Sequence, residues 1–187
     1  TDPKLSLSRL TELANIYEEH LGDIPQAVQT YYRALKIDEH HLPSLTDLER
    51  LLQASANWYE LLSILDTRIQ IAGDETHRER LYLQSANIYE EMLQDHQEAI
   101  RVYRELLSIQ GEHETSIRSL VRLYEREEQW QDLVEAQASL TSICDDQERV
   151  QLTFQQGRVY EQQLFRLDFA LNLYTQVLEQ APTPDVI

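Results

Sequence analysis

Ala14-Asn15-Ile16-Tyr17-Glu18-Glu19 returns letter for letter as Ala86-Asn87-Ile88-Tyr89-Glu90-Glu91, 72 residues further on. A looser copy, Gly157-Arg158-Val159-Tyr160-Glu161-Gln162, follows after 71 more. The same offsets hold downstream of each copy: Ala27, Ala99 and Ala170; Tyr31, Tyr103 and Tyr174; Leu35, Leu107 and Leu178. Between the copies, Trp58 and Trp130 again lie 72 apart. A chain that copies itself at a fixed period stacks one supersecondary unit on itself, and arrays of this kind usually bind proteins rather than do chemistry.

The unit can be read from Leu10 to Asp38. Leu10, Leu13, Ala14 and Tyr17 recur at three- and four-residue spacing, an apolar stripe on a helix. Gly22 supplies the left-handed residue that ends this helix, and Asp23 caps the next one with Pro25 in its first turn. A second stripe runs through Ile24, Ala27, Val28, Tyr31, Leu35 and Ile37. Two antiparallel amphipathic helices on a short turn make a helical hairpin. A small residue on each facing stripe, Ala14 and Ala27, lets two backbones approach while Tyr17 and Tyr31 fill the space beside them.

This pairing of small and aromatic residues resembles the tetratricopeptide repeat, whose period is about 34 residues. Five units follow, at about 4–38, 42–73, 76–110, 113–144 and 146–181, with a tail at 182–187, so the chain reads as a single repeat array. The even units depart from the pattern. Glu49 and Val121 stand at the small position, and Leu61 and Leu133 replace the second Ala just after Trp58 and Trp130. The odd units carry one extra residue between Tyr17 and Ala27, Tyr89 and Ala99, and Tyr160 and Ala170, which calls for a longer first helix or a looser turn. The fold class expected is all-α: an α-solenoid of about ten helices in antiparallel hairpins. The resemblance further implies a right-handed superhelix with first helices on the concave side. Similar odd–even alternation occurs in long bacterial repeat proteins, of which this chain would be a window. A stack without polar-faced ends is expected to pair end to end or with more of its own chain.

Composition narrows the function. With 4 Gly and 5 Pro there is little material for hairpin turns of strands. No apolar run approaches the roughly 18 residues that span a bilayer, so membrane insertion is not expected. A net charge of −17 repels phosphate backbones, which argues against nucleic acid. The single Cys144 excludes an internal disulfide and leaves the redox compartment open; a cytoplasmic location is favoured.

Candidate chemistry is sparse. Zinc needs three or four converging ligands, and His40-His41 sits in a link with no Cys nearby, so neither a metal nor a cofactor is expected. No P-loop, GxSxG or GxGxxG occurs. Glu18-Glu19 and Glu90-Glu91 read as solvated helix faces, and Asp145-Asp146 would raise rather than lower the thiol pKa of Cys144. The chain is expected not to be an enzyme.

In the family, first-helix positions line the concave groove. Carried over, the resemblance implies a peptide-binding face of Asn15, Glu18, Asn87, Glu90, Arg118, Arg122, Arg126 and Arg158, acidic toward the amino end and basic toward the carboxyl end. Asn15 and Asn87 match the Asn of the family's carboxylate clamp, but Thr11 and Leu83 stand where it wants Lys. A bond between helices is an equal alternative for the two Asn residues. The expected function is a protein–protein interaction scaffold taking a peptide or helix in its groove. The alternatives are an architectural spacer and a regulatory domain sensing a small ligand.

Overall fold

The computed structural model describes residues 3–180; the expected tail lies outside them. Ten α-helices occur among these residues and no strand: α1 (Pro3–Asn15), α2 (Ile24–Leu35), α3 (Leu42–Ala54), α4 (Trp58–Ile71), α5 (Glu75–Asn87), α6 (His96–Gln110), α7 (Glu114–Arg126), α8 (Trp130–Ile143), α9 (Asp146–Gln162) and α10 (Leu167–Gln180). The all-α helical-repeat class is as expected, with two helices per repeat. The chain divides into two compact units, residues 1–94 and 95–187. The first holds α1 to α5 and the second α6 to α10, so the dividing point lies in the link of the third repeat.

The extra residue of the odd repeats goes into the backbone rather than into helix length. Ile16–His20 and Ile88–Met92 are π-helical turns that continue α1 and α5. The Leu21 and Leu93 amides donate to the Ile16 and Ile88 carbonyls five residues back, at 3.2 and 3.0 Å. In the fifth repeat Leu164 makes the same wide bond to Val159 at 3.1 Å, just beyond the end of α9. One residue inserted into an α-helix is absorbed by widening a single turn.

The links repeat as faithfully as the helices. Left-handed backbone occurs at Gly22, Gln94 and Phe165 in odd repeats and at Ala56 and Glu128 in even ones, with φ between 53° and 64°. Asp23 accepts from the Gln26 amide, Asp74 from His77, Asp95 from Glu98 and Asp145 from Glu148, each capping the helix that follows. His113 caps α7 through Nδ1 to the Ser116 amide at 3.2 Å. The His113 ring also lies 2.8 Å from the Ser116 hydroxyl, and His41 and Ser44 repeat that contact 72 residues earlier, so His41 belongs to the link chemistry rather than to a metal set.

In the first unit Ala14 and Ala27 are both fully buried, as a close helix–helix contact requires, and Tyr31, Leu45, Leu48, Leu61 and Leu65 are fully buried in the same unit. In the second, Ile117, Leu140, Cys144 and Leu152 form a core cluster. Burial pushes the Cys144 thiol up, and Glu148 adds to it, so this cysteine is a packed side chain and not a thiolate nucleophile.

Candidate protein-interaction surface

In the first unit most of the candidate groove residues are already engaged. Asn15 is exposed, and its Oδ1 accepts from the Tyr31 hydroxyl at 2.6 Å. Burial holds that phenol well above its ordinary pKa, and Asp47 adds to the shift, so Tyr31 remains a donor. Glu18, carried on the π-helical turn, receives both terminal nitrogens of Arg50 from α3, at 2.6 and 2.8 Å. This bond holds the Glu18 carboxyl below the usual range. Asn15 and Glu18 thus tie α1 to its neighbours within the unit. Asn87 is exposed at the end of α5, whereas Glu90 is buried in the second π-helical turn.

Glu49, which stands where the repeat wants a small residue, shows how the even repeats use that position. It meets Arg68 of α4 in a largely buried ion pair and accepts from the Gln84 amide of α5 at 3.1 Å. Burial lowers the Arg68 pKa. A carboxylate in this place needs a cation beside it, and α4 supplies one.

In the second unit the candidate arginines do different things. Arg118 donates to both oxygens of Glu148, at 2.5 and 2.8 Å, and to Glu114 at 2.8 Å. That leaves it occupied by helix neighbours on α7 and α9. Arg122 and Arg126 are exposed on the same helix. Arg158 of α9 borders a cavity of about 330 Å³ together with Glu125, Trp130, Gln137, Gln155 and Gln162. Among the described residues Glu125 and Arg158 have no ion-pair partner. The cavity therefore offers one carboxylate, one guanidinium, several amides and an indole in one recess.

Trp130 as a cavity wall is what sequence reasoning missed. Its side chain is half-buried at the start of α8. The signal available was its place as the first helical residue, where one side of a large ring is left to solvent. Among the described residues no group of His, Cys, Asp and Glu could hold a metal ion. Nor is any helix among them long and apolar enough to cross a membrane.

A helical-hairpin array with capped links and a recess of mixed charge is a protein of the interaction-scaffold class. Residues 8–41 and 81–114 match family models of the tetratricopeptide repeat, and the chain carries repeats of that kind there. No curated protein matches the sequence. Among solved structures, MamA from Desulfovibrio magneticus RS-1 is similar at 12% identity, with 96% of this chain and 97% of that one covered and a TM-score of 0.45. A tetratricopeptide repeat protein from Parabacteroides merdae ATCC 43184 is similar at 15% identity, covering 96% of this chain and 68% of that one, with a TM-score of 0.48. YrrB, described as having an unusual peptide-binding site, is similar at 11% identity, covering 95% and 87%, again with a TM-score of 0.48.

Proposed function

We propose that this chain is a non-enzymatic scaffold that holds an acidic peptide segment on the second unit, at the recess between α7, α8 and α9. The observation that carries this reading is the pair of unneutralised groups, Arg158 and Glu125, beside the half-buried ring of Trp130. Arg158 supplies a planar fork for a carboxylate, and Arg126 at the end of α7, without an ion-pair partner among the described residues, is a second cation. Trp130 offers rigid apolar area at small entropic cost. Glu125 and the amides of Gln137, Gln155 and Gln162 hydrogen-bond peptide N–H and C=O groups and fix the register. Asn15, Glu18 and Arg118 act in this reading by shaping the repeat stack, since each is held by an internal partner.

The test is a selection from a displayed random-peptide library on the full chain. The expected result is enrichment of sequences with adjacent Asp or Glu and an apolar residue, lost from the double variant Arg126→Glu, Arg158→Glu. Enrichment without acidic residues, or clones that bind the double variant equally well, would overturn the reading.

A further inference from the structure

Both units carry the same place between successive second helices, and only one of them fills it. In the first unit Tyr32 of α2 donates its hydroxyl to Glu60 of α4 at 3.3 Å, so the side chain bridges the two helices. Burial pushes that phenol up to about 12, with Glu60 adding to the shift, and it remains a donor. Ile64, one turn beyond Glu60 on α4, is buried.

In the second unit, 72 residues on, Tyr32 is replaced by Arg104, Glu60 by Asp132 and Ile64 by Ala136. Leu35, Leu45 and Leu48 keep apolar counterparts in Leu107, Ile117 and Leu120. The exchange removes a phenol ring and most of a branched side chain, and a cavity of about 350 Å³ lies there between α6, α7 and α8. Arg104 does not take the place of the lost phenol, because it donates to the Tyr124 hydroxyl. Asp132 is half-buried and has no ion-pair partner among the described residues. The walls come from the first three helices of the second unit, with α9 and α10 following them, so this is not an end of the stack. No lining residue is shared with the recess of Trp130.

We propose that this cavity is an anchor site for one tyrosine side chain of a partner protein, its ring on the apolar lining and its hydroxyl donating to Asp132. The volume suits a single ring, being at the low end of the roughly 300–1,000 Å³ of small-ligand pockets. Apolar lining inside an exposed polar rim, here Arg104, Ser108 and Glu135, is the setting in which an aromatic side chain anchors an interface. The chemistry of the occupant is set by the first unit, where the chain fills the equivalent place with its own tyrosine and gives its hydroxyl to the equivalent carboxylate. The site is separate from the acidic-peptide recess, and its failure leaves that reading standing.

The test is a ligand-observed NMR titration of the full chain with N-acetyltyrosine amide and N-acetylphenylalanine amide. The tyrosine probe should bind saturably and about tenfold more tightly than the phenylalanine probe, the scale of a hydrogen bond to a charged acceptor. In Asp132→Ala that preference should vanish while the phenylalanine probe binds as before, a result that general damage to the fold would not give. The double variant Arg104→Tyr, Ala136→Ile copies the first unit. It should lose both probes with a melting temperature no lower than that of the wild type. No saturable binding, equal binding of the two probes, a preference that survives Asp132→Ala, or a closed variant that still binds would overturn the inference. So would free tyrosine binding much more tightly than the blocked form, because the cavity would then serve a free amino acid and not a side chain.

Discussion

Left-handed backbone at four non-glycine residues permits a stability test in which contacts hardly enter. Ala56, Gln94, Glu128 and Phe165 have φ of 53–56°, where an L-residue loses about 1–2 kcal/mol to the clash of its Cβ with the following carbonyl. Glycine removes that clash but costs about 0.5–1 kcal/mol in extra chain entropy. The net gain is about 0.5–1 kcal/mol per site. Little burial is lost in return: all four side chains are exposed, Phe165 to 80%. The backbone bonds of these links, such as Glu128 N–H to the Glu125 carbonyl at 3.3 Å, do not involve the side chain. Sites in separate links add independently, so the quadruple glycine variant should gain about 2–4 kcal/mol. The reciprocal variant is Gly22→Ala. At φ 64° and with nothing within 4 Å of an added methyl, it should lose about 1 kcal/mol through backbone strain alone. Denaturant midpoints followed by far-UV circular dichroism read both. A quadruple variant with an unmoved or lowered midpoint at unchanged slope, or a neutral Gly22→Ala, would refute the reasoning.

Two further outcomes test the packing and the charge ties. Ala14→Leu and Ala86→Leu should each cost about 1–3 kcal/mol, because both alanines are fully buried and the added volume has nowhere to go; unchanged melting temperatures would disprove the tight contact. The Glu18 carboxyl is lowered by Arg50 in the folded chain, so its contribution is present above the unfolded carboxylate value near 4.3 and is lost as pH falls through the lower folded value. Denaturation from pH 7 to pH 3 should therefore show wild type and Arg50→Ala converging as pH drops, and a gap that stays constant with pH would show that Arg50 acts by packing alone.

Much of the fold is legible in the sequence because the repeat supplies its own controls. A stripe seen once is weak evidence, but Ala14, Ala27 and Tyr31 recur with their spacing intact, and all three are buried. Helix ends are legible where a link residue has one physical use, as with Gly22 and Asp23. The form taken by the extra odd-repeat residue is not legible, since a longer helix, a looser loop and a widened turn all add one residue to the count. Only the backbone bond from Leu21 to Ile16 distinguishes them. The groove residues are harder still. Position on a first helix tells which way Asn15, Glu18 and Arg118 are carried, but it is silent on Tyr31, Arg50 and Glu148, which reach them from other helices.

The widened turns also bear on how such a chain can change length over time. A residue inserted into a regular helix rotates everything beyond it by about 100°, which would carry a buried stripe off its partner. Confined to Ile16–His20 and Ile88–Met92, the insertion falls after the Ala14 and Ala86 stripes and before the next links. The phase of each core-facing row is set upstream of the irregularity, and the link after each widened turn restarts the count with its own left-handed residue, Gly22 or Gln94. Duplication could therefore carry a length defect along with its unit, as a silent passenger, and the defect survives in copies whose other residues have since diverged.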